Sequence, residues 1–255
     1  MSALLRLARD DDGAPEIFRS VQGEGRSAGL KRTFVRLSGC NLHCVWCDTA
    51  YTWNWRGSAF RHERDAPSAP WKFDPKAEMV ALPVAEVAAL MREKISDGVV
   101  ITGGEPLMQT DAIVALIDAL KVEAPGLLIE IETNGTIAPS AALTERVDLF
   151  MVSPKLAHSG NDAAVALKPA ALSAFAANPR AFFKFVAREA SDLDAVATIA
   201  AAHAIPAARI YIMPEGTTSA TLHEREATLK PAALARSYSY SDRLHIHMFG
   251  EKRGV

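Results

Sequence analysis

Beyond position 80 the chain alternates between two hydrophobic rhythms. Val84, Val87, Ala88, Met91 and Ile95 recur at helical spacing, and the unbroken run Val99, Val100, Ile101 that follows stops at Gly103 and Gly104. This predicts a helix and then a buried strand. The unit recurs, with Ile113, Leu116, Ile117 and Leu120 on one helical face, LLIEIE as the next strand and TNG ending it. DLFMV, AFFKFV, RIYIM and RLHIHMF are further strand segments, and an Ala-rich helix is expected around Asp192 to His203. Upstream, Thr33 to Leu37 (TFVRL) reads as a short buried strand. Strands of this length separated by helices predict an α/β fold with a parallel sheet of about six strands. Strand count alone leaves open whether the sheet is a partial (β/α) barrel or an open doubly wound sheet.

The rhythm breaks once. Residues 51–74 hold three of the four tryptophans among Arg, His, Gly and Pro without clear periodicity, which predicts an ordered insertion or lid within a single domain spanning 1–255. Cys40, Thr102 to Pro106, Thr133 to Gly135, Ser153 to Lys155 and Met213 to Gly216 all fall just past strand ends. Parallel α/β folds place their sites there.

The 255 residues are 49% apolar and 23% charged, enough to bury a core and too apolar for disorder. Twenty-eight Lys and Arg against 30 Asp and Glu leave a net charge of −2, so no bulk positive field suggests a nucleic-acid partner. No apolar run is long enough to span a bilayer, and the N-terminal stretch is too short and too acidic for a signal peptide. These features place the expected protein in the cytoplasm, acting on a small molecule.

All three cysteines lie within eight positions, at Cys40, Cys44 and Cys47. Three soft thiolates on one short loop can wrap a metal centre from one side. A structural zinc site needs a fourth protein ligand, His43 or a distant histidine. A [4Fe-4S] cube held by three cysteines instead leaves one iron open for a substrate or cofactor. His43 occupies a spacer position and is read as a non-ligand.

CNLHCVWC resembles the C-x3-C-x2-C signature of the radical S-adenosylmethionine (SAM) superfamily, and TGGEP resembles that superfamily's second motif. The resemblance implies a partial barrel of the radical SAM core type, a [4Fe-4S] cluster and SAM as cofactors. It also implies an electron donor of the flavodoxin or ferredoxin kind. EIFRSVQGEGRSAG, FVRLSGC, CDTAYTW, VVITGGEP, IETNGT, SPK and the terminal GEKRGV narrow it further, because together they are similar to the 7-carboxy-7-deazaguanine synthase family. The likeness leaves out the Trp-rich insertion and much of the Ala-rich middle. It implies conversion of 6-carboxy-5,6,7,8-tetrahydropterin to 7-carboxy-7-deazaguanine with loss of ammonia, in queuosine or 7-deazapurine biosynthesis.

On that resemblance Cys40, Cys44 and Cys47 hold the cluster. Val21, Gln22, Gly23, Arg36 and Thr102 meet the pterin substrate, and Trp46, Cys47, Asp48, Gly104, Glu105, Ser153, Pro154 and Lys155 meet SAM. Thr49 matches a magnesium-site threonine, in keeping with the oxygen ligands that Mg2+ prefers. Residue chemistry agrees with such a substrate, since a pterin edge asks for an amide and a carboxylate for a guanidinium, which Gln22 and Arg36 supply. Of Glu130 and Glu132, which share a strand face, Glu132 is the site candidate. His245 and His247 are expected on a strand, as satisfied core histidines. Competing functions are a glycyl-radical-enzyme activase, which recognises a protein loop, and a zinc-stabilised binding module without catalysis. An incomplete barrel exposes sheet edges that a homodimer covers.

Overall fold

The computed structural model describes residues 3–255. Its strands are β1 (Leu4–Ala8), β2 (Ile17–Val21), β3 (Lys31–Leu37), β4 (Met79–Pro83), β5 (Gly98–Gly103), β6 (Leu128–Thr133), β7 (Leu149–Val152), β8 (Ala181–Ala187), β9 (Ile210–Pro214) and β10 (Ser239–Tyr240). They form one sheet in the order β10-β9-β8-β7-β6-β5-β3-β1-β4, with β2 paired to β3 off that path. From β3 to β10 every neighbouring pair is parallel. Over that parallel stretch the order follows the chain in one direction without reversing, so this part of the sheet is singly wound. β4 and β10 lie at opposite ends and are not paired, which makes the architecture a partial barrel.

The periodic segments form the elements they predict. Helix Val84–Arg92 buries Val84, Val87, Ala88 and Met91, and helix Thr110–Glu123 buries Ala112, Ile113, Leu116, Ile117 and Leu120. Ile95 lies past the end of the first helix, where it still packs on the core. The Ala-rich helix spans Asp192–Ala202 with Asp192 and Asp194 in its first turn, where carboxylates oppose the positive end of the helix dipole. Ile101, Ile129, Phe183 and Ile212 of the parallel strands are fully buried between barrel and helices. Each such side chain contributes about 2 kcal/mol through burial. No helix among the described residues is long and apolar enough to cross a membrane.

The C-terminal segment departs from expectation. RLHIHMF is not a strand: Leu244–Phe249 is a short helix. The place beside β9 is taken by the two-residue β10, and Ser241 continues that pairing by donating its N–H to Ile212. Arg243 is drawn sideways by Glu24 and Asp48, and Leu244 N–H bonds Gly23, so the chain leaves the sheet before the alternating stretch begins. The antiparallel strands β1, β2 and β4 also lie outside the periodic pattern. β2 and β3 form a hairpin across Gln22 to Leu30, which carries VQGEG to the mouth of the barrel.

Candidate active site

The cysteine loop leaves β3 and is moored to the end of β5 by backbone alone. Gly104 N–H donates to Leu37 O at 3.0 Å and Glu105 N–H to Gly39 O at 2.8 Å. This approach needs both glycines: a Cβ on Gly103, whose φ is +138°, would lie 2.0 Å from Leu37 O, and one on Gly104 2.1 Å from Gly39 O. The two sequence motifs are therefore one structural unit.

Above this unit lies a cavity of about 230 Å3. Its wall includes Cys40, Cys44, Cys47, Trp46, Asp48 and Thr49 from the loop, and Val21, Gln22 and Gly23 from the end of β2. Arg36, Thr102, Gly104, Ser153 and Lys155 complete the residues expected there. Glu105 and Pro154 are not in the wall. Glu105 is fully buried and accepts from Leu107 N–H (2.9 Å), Thr133 Oγ1 (2.8 Å) and Asn134 N–H (2.7 Å), so its carboxylate braces β5 against β6. His43 lies outside the wall, stacked on Phe60 and edge-on to Trp53.

The three thiols suit a cluster. Burial and their mutual repulsion raise their proton affinity, Cys40 to about 12 and Cys47 to about 11, so they stay neutral until a metal displaces the protons. Leu42 N–H and Asn161 Nδ2 point at Cys40 and Cys44 sulfurs at 3.4 and 3.3 Å, the kind of N–H···S contact that stabilises cluster thiolates. Among the described residues no three Cys, His, Asp or Glu side chains converge as ligands of a single ion.

The same wall carries an ionic network that reaches the cysteine loop at Asp48. Gln22 Nε2 donates to Glu132 Oε1 at 3.1 Å, and Thr102 Oγ1 donates to Glu132 Oε2 at 2.8 Å. Lys184 bonds Glu24 and lies 3.6 Å from Glu132. Arg243 donates through Nε to Glu24 at 3.0 Å and through its terminal nitrogen to Asp48. Burial works against ionising Glu24, but Lys184 and Arg243 outweigh it and hold the carboxyl well below its ordinary range. Glu130, one pleat repeat from Glu132, has fewer compensating charges. Burial and the Glu132 charge push it to about 7, against a bond from Ser27.

Glu24, Lys184, Arg243 and His245 are wall residues that sequence reasoning missed or placed elsewhere. The one legible signal was Lys184, a lone charge inside the apolar run AFFKFV. His245 sits against the backbone of Gly23, where a Cβ would lie 2.1 Å from its Nδ1. His247 lies outside the wall and bonds Asp242 and Ser219.

A singly wound partial barrel with three cysteines and a glycine pair at the mouth defines a radical SAM protein, and the Radical SAM superfamily model matches residues 34–156. Comparison of the whole chain is more specific. It is 34% identical to the 7-carboxy-7-deazaguanine synthase of Pyrobaculum aerophilum, over 94% of this chain and 95% of that one. It is also 34% identical to the one from Rhodopirellula baltica, over 94% and 87%. The crystal structure of QueE from Escherichia coli superposes with a TM-score of 0.65 at 25% identity, covering 94% of this chain and 93% of the other. The chain belongs to the 7-carboxy-7-deazaguanine synthase family.

Proposed function

We propose that the cavity converts 6-carboxy-5,6,7,8-tetrahydropterin to 7-carboxy-7-deazaguanine with loss of ammonia, the reaction of the family to which the chain belongs. The observation that carries this reading is that the cysteine loop and Gln22, Arg36 and Glu132 line a single cavity. Bound to Cys40, Cys44 and Cys47, a [4Fe-4S] cluster supplies the electron that cleaves SAM and so opens the radical chemistry.

The chain's own residues bind and orient. Arg36 presents a guanidinium to the substrate carboxylate, and Glu132 accepts from the amine and ring N–H edge of the pterin, a two-point match that a carboxylate makes readily. Gln22 and Thr102, which with Val21 and Gly23 meet the substrate, also hold Glu132 in place. Trp46, Asp48, Gly104, Ser153 and Lys155 serve SAM, with Lys155 Nζ bonded to Ser153 at 2.9 Å and 5.8 Å from the Trp46 ring centre. Glu105 serves it indirectly, by bracing the strand ends. Thr49 offers a hydroxyl to Mg2+, with the substrate carboxylate and water filling the remaining positions. Asp48 is engaged by Arg243, and the Thr49 hydroxyl lies 3.5 Å from the Cys47 sulfur.

A flavodoxin- or ferredoxin-like protein would deliver the electron, and a homodimer would cover the exposed barrel edge. The site works on a free small molecule in the cytoplasm, without nucleic acid or membrane. The test is anaerobic reconstitution with iron and sulfide, then assay with carboxytetrahydropterin, SAM, reductant and magnesium. Consumption of the pterin without any protein substrate supports the reading and opposes a glycyl-radical-enzyme activase. A protein that builds the cluster and cleaves SAM but leaves the pterin untouched overturns it.

A further inference from the structure

The Trp-rich insertion has a defined job at the cysteine loop. Its base is closed where Phe73 N–H donates to Asn54 O at 3.0 Å and Arg56 N–H to Phe73 O at 2.9 Å. Inside, the Asp65 carboxylate accepts from the backbone N–H of His62 (2.9 Å) and Trp71 (2.7 Å). Residues 54–73 are thus a loop packed by its own side chains, of the kind that folds as a compact surface unit.

This unit is fastened to the cluster loop at consecutive residues. Glu63 N–H donates to Val45 O at 2.7 Å, and the ring of His62 reaches Cys47 O at 2.9 Å. A carbonyl only accepts, so His62 Nε2 carries the proton there. Nδ1 must then accept, and it does so from Arg64 N–H at 3.1 Å. His62 is 5% exposed with both nitrogens satisfied. On its other side the same loop is held by Val45 N–H to Ser159 O (3.0 Å) and His43 N–H to Asn161 Oδ1 (2.9 Å). Cys44 and Cys47 are therefore carried on a strip of backbone clamped between two partners, one of which is the insertion.

We propose that residues 54–73 brace the cluster loop and that His62 is the positioning residue that locks them onto the Cys47 backbone. The inference rests on the reading that the three cysteines hold a [4Fe-4S] cluster. A cluster thiolate leaves more readily when its backbone moves, so each bond that fixes the strip slows loss of the cluster.

The experiment compares the full-length protein with His62→Ala, His62→Gln and Phe60→Ala. Each is reconstituted anaerobically with ferrous iron and sulfide, checked by circular dichroism, then exposed to air while the brown absorbance and bound iron are followed. Glutamine places an amide N–H where His62 has Nε2. The expected result is bleaching about fivefold faster in His62→Ala, the equivalent of one lost hydrogen bond, and within about twofold of the parent in His62→Gln. Phe60→Ala removes the ring packed on His43 without touching the bond to Cys47, and is expected to bleach at an intermediate rate. Bleaching of both alanine variants at the parental rate overturns the brace while leaving the cluster reading intact. A parent protein that takes up no iron and sulfide overturns the cluster reading and the brace with it.

Discussion

Arg36 donates its Nε–H to the buried Glu16 at 2.8 Å, and Glu16 accepts a second bond from the Tyr51 hydroxyl at 2.9 Å. The remaining guanidinium N–H groups of Arg36 make no hydrogen bond among the described residues, and the side chain lines the cavity. One face of the guanidinium neutralises a structural carboxylate while the other is available to a substrate. Arg36→Ala is therefore expected to have two separable effects. Loss of a charged hydrogen-bonding partner should weaken pterin capture by about tenfold or more. Leaving Glu16 buried without its cation should cost about 3 kcal/mol of stability. Adding Glu16→Gln should restore much of the stability and none of the capture. Calorimetric titration with the pterin and urea melts read the two effects independently, and a double variant no more stable than Arg36→Ala would contradict the assignment.

Glu130 makes the fold itself sensitive to pH. Its carboxyl sits near 7 in the native protein against an ordinary value of 4.5. An acid whose folded pKa is raised binds its proton more tightly in the native state, so its contribution is fully present below the unfolded value and is lost as pH rises through the folded one. Between about pH 5 and about pH 8 this should remove on the order of 3 kcal/mol. Glu130→Gln keeps an acceptor for Ser27 and has no charge to bury, so its urea midpoint should lose that part of the pH dependence. An unchanged profile would assign the dependence to other groups.

Gly104→Ala forces a methyl group onto the Gly39 backbone, which no side-chain adjustment relieves. A loss of about 3 kcal/mol is expected, with poor iron retention because the two mouth motifs are pried apart. Gly126→Ala is the control, since nothing lies within 4 Å of the added atom, and it should change stability by less than about 0.5 kcal/mol. Thermal melts and iron analysis of both variants test the point, and a Gly104→Ala protein indistinguishable from the control would refute it.

On the proposed reading, magnesium separates placement from cleavage. Thr49→Val preserves shape and deletes the hydroxyl, so it should blunt the response of product formation to Mg2+ while leaving the cluster and some uncoupled 5′-deoxyadenosine formation. The measured quantity is product per deoxyadenosine with and without the metal. A parental response in the variant would place the ion elsewhere.

What could be read before the structure follows from the range of the signals. Helix faces such as Ile113, Leu116, Ile117 and Leu120, and strand runs such as Val99 to Ile101, are local patterns, and both formed where the pattern put them. The cysteine triplet and the glycine pair are also local, and the cavity gathers both. The ionic wall is not local. Lys184 and Glu24 meet across 160 residues, and neither advertises the other. RLHIHMF misled because its alternation is real, with Ile246 buried, but a tether at Arg243 decides the backbone before the alternation can act. A short element held by long-range bonds is the kind of case in which tertiary contacts override pattern.

The bond between Glu24 and Arg243 joins positions 219 residues apart. Contacts of such separation form late, because the intervening chain must be ordered first. The cysteine loop, by contrast, is moored by β5 and by the Ser159–Asn161 segment, both of which precede the last helix in the chain. During synthesis there is thus an interval in which the thiols are assembled while the ionic network is incomplete, and in air that interval exposes them to oxidation. Slowing the arrival of the last helix, by rare codons or by cold, should lower the fraction of chains able to accept iron without altering the stability of those that do.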